Sequence, residues 1–446
     1  EEAEDAVNPE LPEEEPTVED ADATVSDDAI TAENEDDSAI ADGEPMAEAP
    51  ETDTPDASGA TDTTEDAEVP EAPETPETQI DALEPEGADE ALATSEDDVD
   101  SLEPAADSST EEPAKPNDPR LDEQWSLTSI NAFEAWDLMP ANATPVTVAI
   151  IDEGFDLTHE DLANNVMLDA YGNPVAFNAV TNTNEVPEVD STSRSFGHGT
   201  HVAGIVAAET DNELGVSGVT NNLKILPVKV YDDAGTATTT TVVAAYRYLL
   251  DSCGNYNVRI INISLGMSGN TDARLEAVIN EAYDAGIITV ASAGNYSAAT
   301  DNFPSDLENV VAVINLQRDA SNADGVSRAS GSNYNQTING TLEHAKNISA
   351  PGSVILSTWP EADTSNSKYR NNTGTSMAAP HVAGTLALML TANPSLSPRE
   401  AINVLYSTAR DLGEEGFDAE TGYGEVNAQA AVAAALSCGH TDEPEP

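Results

Sequence analysis

Short runs of apolar residues alternate with longer amphipathic stretches from about residue 125 onward. The short runs predict six β-strands, at 146–151, 225–230, 258–263, 287–291, 310–314 and 354–357. The amphipathic stretches predict six helices, at 198–208, 238–250, 271–285, 376–390, 398–409 and 428–436. Short apolar strands separated by helices are typical of a parallel sheet that is covered on both faces. The pattern therefore predicts an α/β fold with a mostly parallel central sheet.

The first quarter of the chain has a different composition. Residues 1–112 contain 43 Asp or Glu, 11 Pro and no Lys, Arg, His, Phe, Tyr or Trp. Such a segment cannot bury enough apolar surface to offset its chain entropy, so we predict that it is disordered. We interpret it as a solvated, self-repelling spacer, and a calcium-buffering or an inhibitory role is the alternative.

The other 334 residues hold all 20 aromatic side chains, which suffices for one large domain over residues 113–438. They contain 42 acidic and 15 basic residues, so they contribute −27 to the net charge of −70. This acidity argues against nucleic acid and anionic membranes as partners. Residues 439–446 return to acid and proline, and we interpret them as the start of an acidic linker or tail.

Other features of the sequence limit the class to which the protein can belong. No run approaches 18 consecutive apolar residues, so we expect no membrane span in this chain. The chain begins with Glu1, which a removed signal or pro-segment would explain, and so would a fragment of a longer chain. Cys253 and Cys438 are too few for a disulfide scaffold or a zinc site. One bridge between them and two unpaired thiols are both open.

Four short motifs contain side chains suited to chemistry. Asp152 follows the first predicted strand, and His198 opens an apolar helix in SFGHGTHVAGIVA. Ser376 lies at the start of a helix in GTSMAAPHVAG, and Asn295 ends ASAGN after another strand. Taken singly, the serine could be an N-cap and the aspartate a turn residue. His198 and His201 could bind a metal, but no third ligand or HExxH pattern accompanies them.

Together the four side chains form the set that acyl transfer needs. The set comprises a nucleophilic hydroxyl, an imidazole base, a carboxylate that orients the base and an amide donor. Unpaired backbone N–H groups at the helix start would face a negative charge that develops near Ser376.

The strings around these residues resemble those of the subtilisin-like serine proteases, the subtilase family. The resemblance rests on DEGFD, HGTHVAG, SLG, AGN and GTSMAAPHVAG, and on the chain order Asp152, His198, Ser376. It extends from about residue 117 to residue 436. It implies a subtilisin-like three-layer α/β fold, preceded by the disordered acidic segment, and a serine endopeptidase that acts through an acyl-enzyme.

The resemblance also implies roles for single residues. Asp152, His198 and Ser376 match the catalytic triad, and Asn295 matches the side chain that holds the oxyanion with the Ser376 backbone N–H. Extended substrate would bind between two strand edges. The residues that match these edges are Ser264, Leu265 and Gly266 on one side and Thr236 to Thr238 on the other. His201 and His381 match positions that pack and are not catalytic.

A structural calcium site follows from the same resemblance. Asp118 in NDPRLDEQW and Asp161 in HEDL match carboxylate ligands. The loop ETDNELGV matches positions that supply carbonyl and amide oxygens, namely Thr210, Asn212, Leu214 and Val216. Hard oxygen ligands of this mixture suit Ca²⁺. A weak second cation site is not expected, because Asn347 stands where the family has Asp.

The sequence departs from the family in three ways. Glu153 stands after the catalytic Asp, where Ser or Thr is usual. It either adds negative charge beside His198 or points into solvent. Residues 1–112 lack the apolar periodicity of the family's compact prodomain. The alignment past Asn295 is gapped, so that Asn302 or its neighbours would form the floor of the pocket for the side chain before the cut.

These observations favour a secreted or cell-surface endopeptidase that acts on peptides or proteins, and we expect a monomer. A dedicated maturation protease for one partner is the alternative within the enzymes. An inactive binding module with a subtilisin fold is disfavoured, because the triad and the oxyanion amide are all present.

Overall fold

The computed structural model describes residues 29–31, 115–185, 197–266, 272–338, 341–343, 346–360 and 367–439. In these ranges the strands are β1 (Ala29–Thr31), β2 (Thr147–Asp152), β3 (Phe177–Asn178), β4 (Lys224–Lys229), β5 (Thr236–Thr238), β6 (Val258–Ile263), β7 (Ile288–Ser292), β8 (Val310–Arg318), β9 (Val326–Arg328), β10 (Gln336–Ile338), β11 (Thr341–Glu343), β12 (Ile348–Pro351), β13 (Ile355–Thr358) and β14 (Tyr369–Asn372). The helices are α1 (Trp125–Ser129), α2 (Ala132–Trp136), α3 (His198–Ala207), α4 (Thr239–Tyr256), α5 (Ala273–Asp284), α6 (Thr375–Ala392), α7 (Pro398–Ser407) and α8 (Ala428–Ser437). Short 3-10 turns form at Leu121–Glu123 and Ala163–Asn165.

A mostly parallel sheet lies at the centre, as predicted. Its strand order is β12-β8-β7-β6-β2-β4-β3, with parallel pairing throughout, and β9 pairs with β8 in antiparallel orientation. Alternate side chains of β2 enter two different cores: Val148 and Ile150 point to one face, and Ala149 and Ile151 to the other. The α3, α6 and α8 helices contribute to the first core, and α4 and α5 to the second. The predicted three-layer α/β fold is therefore confirmed.

Helix α6 is buried on every side from Thr375 to Thr391. It packs against α3, α8 and the central strands β6, β7 and β8, so an apolar residue is favoured around its whole circumference. Pro380 is accommodated in its second turn. This burial holds the helix start, and with it Ser376, at a fixed place above the sheet.

Adjacent parallel strands place three segments at one edge of the sheet. Strand β2 ends at Asp152, β6 ends immediately before Ser264, and β7 ends three residues before Asn295. Because β7, β6 and β2 are neighbours and run in the same direction, their carboxyl ends meet at this edge.

A short strand of the acidic segment was not expected from composition. Ala29–Thr31 pairs in antiparallel orientation with β5, with Ile30 opposite Ala237. The sequence has a local reason for it: residues 29–32 are uncharged, contain the β-branched pair Ile30 and Thr31, and lie between Asp28 and Glu33.

Two smaller points concern the cysteines and membranes. Among the described side chains, Cys438 is a free cysteine, and the side chain of Cys253 lies outside that part of the chain. Among the described residues, no helix is both long and apolar enough to cross a membrane.

Candidate active site

Asp152 and His198 are joined directly. Asp152 is the last residue of β2, and His198 is the first residue of α3. The His198 Nδ1 atom lies 2.8 Å from Asp152 Oδ1 and 3.0 Å from Oδ2. The buried carboxylate also accepts a hydrogen bond of 2.8 Å from the Glu153 backbone N–H. This arrangement fixes the imidazole plane and leaves Nε2 as the nitrogen that can exchange a proton with a hydroxyl.

Ser376 lies in the first turn of α6 and is tied to the end of β6. Its Oγ donates to the Ser264 carbonyl at 3.3 Å, and the Ser264 Oγ donates to the Ser376 carbonyl at 2.9 Å. Helices α6 and α3 pack against each other, so Ser376 and His198 begin two helices on the same face of the sheet.

Asn295 is held by the residue before Ser376. Its Oδ1 accepts from the Thr375 backbone N–H at 2.9 Å and from the Thr375 hydroxyl at 3.1 Å. Gly294 donates its N–H to the same hydroxyl at 3.2 Å. Since the amide oxygen is engaged, the Nδ2 group is the end of Asn295 that supplies hydrogen-bond donors.

The predicted substrate edges follow β6 and β4. Ser264 and Leu265 are buried, and Gly266 ends the described part of its segment. On the other side, Thr236 to Thr238 form β5, whose edge pairs with Ala29–Thr31. An edge that accepts one extended segment in antiparallel orientation offers the hydrogen-bonding groups that a peptide substrate would use.

Asn302 lies beneath both the SLG and AGN segments. A Cβ atom added to Gly266 would be 2.5 Å from its amide nitrogen, and one added to Gly294 would be 3.1 Å from its amide carbon. Its Nδ2 donates to the Ser292 carbonyl at 3.1 Å. Gly266 is therefore needed for close packing on this buried amide, whereas Gly294 packs most closely on the neighbouring amide of Asn333. Asn302 lies at the position that the resemblance assigns to a pocket floor.

Sequence reasoning missed the ion pair that anchors the Asn302 loop. Lys346 Nζ lies 2.6 Å from Asp306 Oδ2, and both side chains are 4% exposed. Lys346 also donates to the Thr300 carbonyl at 2.8 Å, and the Asn302 N–H donates to Asp306 at 3.0 Å. Lys346 is one of only 15 basic residues, but the sequence indicates neither that it is buried nor which acid it pairs with.

Removing one member of this pair should be strongly destabilising. Lys346→Met leaves Asp306 buried without its cation, so we expect the free energy of unfolding to fall by about 3–5 kcal/mol. Denaturant unfolding measures this. The double variant Lys346→Met/Asp306→Asn should be more stable than the single one, because no buried charge is left. A loss below about 1 kcal/mol for Lys346→Met would contradict the role given to the pair.

The other two histidines named above are packed, as predicted. His201 Nε2 lies 2.9 Å from the carbonyl oxygens of both Ile355 and Arg370, and burial lowers the pKa of His201 to about 3. His381 Nδ1 lies 2.8 Å from the Met377 carbonyl, and burial lowers its pKa to about 4. Both rings are neutral at ordinary pH and bind backbone rather than a metal.

Hydrogen bonds link five of the six predicted calcium ligands, and the sixth, Thr210, lies in the same loop. Asp118 accepts hydrogen bonds from the Asp211 and Asn212 N–H groups at 3.0 and 3.1 Å. Asp161 accepts from the Val216 N–H at 2.9 Å and from Asn212 Nδ2 at 2.8 Å. The remaining members, Thr210 and Leu214, lie in the same loop, and the Leu214 N–H donates to Asn212 Oδ1 at 2.8 Å.

The charge of this cluster fits a cation. Burial, with a smaller contribution from the neighbouring Asp118, raises the pKa of Asp161 to about 7. Among the described residues, no Lys or Arg forms an ion pair with either carboxylate. No group of three or more His, Cys, Asp or Glu converges anywhere in that part of the chain, so a cation here would depend on two carboxylates and neutral oxygens.

The fold agrees with comparisons to known proteins. The profile of the subtilase family matches residues 143–424. Thermitase of Thermoactinomyces vulgaris is 34% identical over 320 residues, which cover 71% of this chain and 99% of the relative. A protein named Extracellular protease from Xanthomonas campestris is 35% identical over 350 residues, which cover 72% of this chain and 57% of that relative's length.

Solved structures give the same result. A protease from Pseudoalteromonas arctica superposes with a TM-score of 0.60 at 30% identity, over 72% of this chain and all of that one. Fervidolysin from Fervidobacterium pennivorans superposes with a TM-score of 0.60 at 27% identity, over 71% of this chain and 46% of that one. The class defined by this fold is the α/β serine hydrolases of subtilisin type. The chain belongs to the subtilase family and is a serine endopeptidase.

Proposed function

We propose that this chain is an extracellular endopeptidase that hydrolyses peptide bonds through an acyl-enzyme, with Asp152, His198 and Ser376 as its triad. The observation that carries the proposal is the paired contact of Asp152 with His198 Nδ1, at the sheet edge where α3 and α6 begin. The family membership supports the reaction class, and the name of the Xanthomonas relative supports secretion.

The chemistry follows from these groups. His198 Nε2 accepts the proton of the Ser376 hydroxyl while the Ser376 Oγ attacks the substrate carbonyl. The resulting oxyanion accepts hydrogen bonds from the Ser376 backbone N–H and from Asn295 Nδ2. The protonated His198 then gives its proton to the leaving amine, and the C–N bond breaks. A water molecule, activated in the same way by His198, hydrolyses the ester and restores Ser376.

Substrate would bind as an extended strand between β5 and the segment Ser264 to Gly266. The support is that β5 pairs in antiparallel orientation with an uncharged extended segment of this chain, which shows that its edge can bind an extended backbone. Such main-chain hydrogen bonding does not depend on side-chain identity, so it favours broad tolerance of sequence.

Digestion of casein and of a mixed peptide library tests the proposal. We expect cleavage at many sites in both, with loss of activity after treatment with a serine-reactive phosphonate. Absence of cleavage by folded, calcium-supplied protein would overturn the proposal.

A structural Ca²⁺ is part of the proposal. Asp118 and Asp161 would supply the charged ligands, and the loop of Thr210, Asn212, Leu214 and Val216 the neutral ones. The cation would neutralise two buried carboxylates and tie the N-terminal stretch of the domain to this loop.

Chelation should therefore lower the melting temperature. Ligands from separate segments form a site only in the folded state, so calcium at 100 times its dissociation constant would stabilise the fold by about 2.7 kcal/mol. Differential scanning calorimetry in calcium and in EDTA measures the difference. Asp161→Asn should reduce it, whereas Asp169→Asn, at a partly exposed loop position, should not. Equal melting temperatures in calcium and EDTA for the wild type would contradict the site.

A further inference from the structure

Glu153 is buried and contacts the helix that begins with His198. Its side chain is 4% exposed, and its Oε1 accepts a hydrogen bond of 2.9 Å from the His198 backbone N–H. The alternative in which Glu153 points into solvent is therefore wrong. Its own backbone N–H donates to Asp152 Oδ1 at 2.8 Å. Residue 153 thus forms one hydrogen bond with each member of the Asp152 and His198 pair.

The Glu153 carboxylate provides a hydrogen-bond acceptor at the start of α3. The first N–H groups of a helix have no acceptor within the helix, and the helix dipole makes that end positive. The residue at the N-cap position is Gly197, which has no side chain and forms no side-chain cap. Glu153 supplies the missing acceptor from a separate segment, and it brings the charge that the helix start favours.

Close packing of α3 on the turn after β2 makes this contact possible. A Cβ atom added to Gly199 would be 2.4 Å from the Gly154 carbonyl oxygen and 3.1 Å from Asp152 Cβ. The first turn of α3 therefore lies directly on residues 152–154. A side chain two carbon atoms shorter at position 153, such as the serine usual in the family, has a shorter reach and a neutral hydroxyl.

We propose that Glu153 is a positioning residue for the proteolytic reaction, and this inference rests on the proposed function. By accepting a hydrogen bond from the His198 backbone N–H, Glu153 keeps the imidazole Nδ1 aligned with the Asp152 carboxylate. A negative charge on this carboxylate, which accepts from the His198 backbone N–H, would also favour the protonated imidazole. The elements packed around α3 carry these charged or titratable groups: Asp152 on β2, Lys224 and Lys229 on β4, and His381 on α6. His201 lies on α3 itself, next to Arg370 of β14. Burial lowers the pKa of both His201 and His381, so both rings are neutral at ordinary pH.

Two substitutions separate the hydrogen bond from the charge. Glu153→Gln keeps an oxygen that can accept from the His198 N–H, whereas Glu153→Ala removes both the acceptor and the charge. We expect kcat to fall by roughly tenfold or more in Glu153→Ala with KM within about twofold, because one hydrogen bond that orients the base is lost. Glu153→Gln should restore kcat to within about threefold of the wild type. In both variants the acid limb of the kcat/KM profile should move to lower pH.

The matched control is Glu276→Gln, which removes an exposed acid from the first turn of another helix, α5. It should change neither kcat nor the pH profile. A kcat in Glu153→Ala equal to the wild type, or an acid limb that stays in place in Glu153→Gln, would overturn the inference.

A second measurement does not depend on activity. In the Ser376→Ala background, the pH midpoint of the His198 ring, followed by NMR, should be lower when Glu153 is replaced by Gln. An unchanged midpoint would overturn the charge role even if the wild type cleaves peptides. Loss of the proposed function would instead appear as an inactive wild type with the midpoint shift intact.

Discussion

We expect Ser376→Ala to abolish peptide cleavage and to leave the fold intact. The substitution removes the hydroxyl that we propose as the nucleophile, and no acyl-enzyme can form without it. The residue is buried at the helix start, and its hydroxyl donates only a long hydrogen bond of 3.3 Å to Ser264. Loss of that hydroxyl therefore costs little stability.

Steady-state cleavage of a fluorogenic peptide checks this, with circular dichroism to verify folding. We expect activity to fall by at least about 1000-fold, to what the remaining binding and oxyanion groups provide. Ser437→Ala is the matched control, because Ser437 is also a helical serine whose hydroxyl donates to a backbone carbonyl. A Ser376→Ala protein that cleaves as fast as the control would remove the basis of the assignment.

We expect Asn295→Ala to lower kcat by roughly 100- to 1000-fold, because the proposed donor to the oxyanion would be lost while the nucleophile remains. KM should stay within a few-fold, since that donor is used mainly in the transition state. Asn295→Asp should be similarly impaired. It keeps an oxygen that can accept from Thr375 but replaces the Nδ2 donors with a second oxygen.

Comparison of the two variants separates the oxyanion role from a packing role. If Asn295 mattered only by holding Thr375, the Asp variant would retain activity and the Ala variant would lose it. Thr375→Val supplies the complementary case, because it removes the hydroxyl bonded to Asn295 and leaves the amide donors in place. A kcat within threefold of the wild type in Asn295→Ala would contradict the proposed role.

The strands buried on both faces could be predicted from the sequence. The β2, β4, β6, β7 and β8 strands lie where apolar runs predicted them, because burial on both faces requires continuous apolar residues. The predicted strand at 354–357 forms as β13, but it pairs with β14 outside the central sheet. The edge strand β12 was missed, because its sequence ISAP is only four residues long and ends in a proline.

The length of β8 also had a tertiary cause. Its prediction ended at residue 314, yet the strand continues to Arg318. Its last residues, Leu316 to Arg318, pair in antiparallel orientation with β9. Pairing with a later segment can extend a strand beyond its apolar run. The sequence of residues 315–318 alone does not predict this pairing.

The sequence predicted some residues of the candidate site better than others. The order and strings around Asp152, His198 and Ser376 were sufficient to propose their roles. Glu153 was recognised as unusual, but its orientation depends on how closely α3 approaches the turn after β2. The pair of Asp306 and Lys346 could not be found, because the two residues are 40 positions apart and only the fold brings them together.

The most direct test of the central claim is covalent labelling with a fluorophosphonate, followed by intact-mass and peptide mass spectrometry. The account predicts one adduct for each chain, on the peptide that contains Ser376, with slow labelling in His198→Ala and none in Ser376→Ala. An unlabelled wild type, an adduct on another residue, or equal labelling of Ser376→Ala would contradict it.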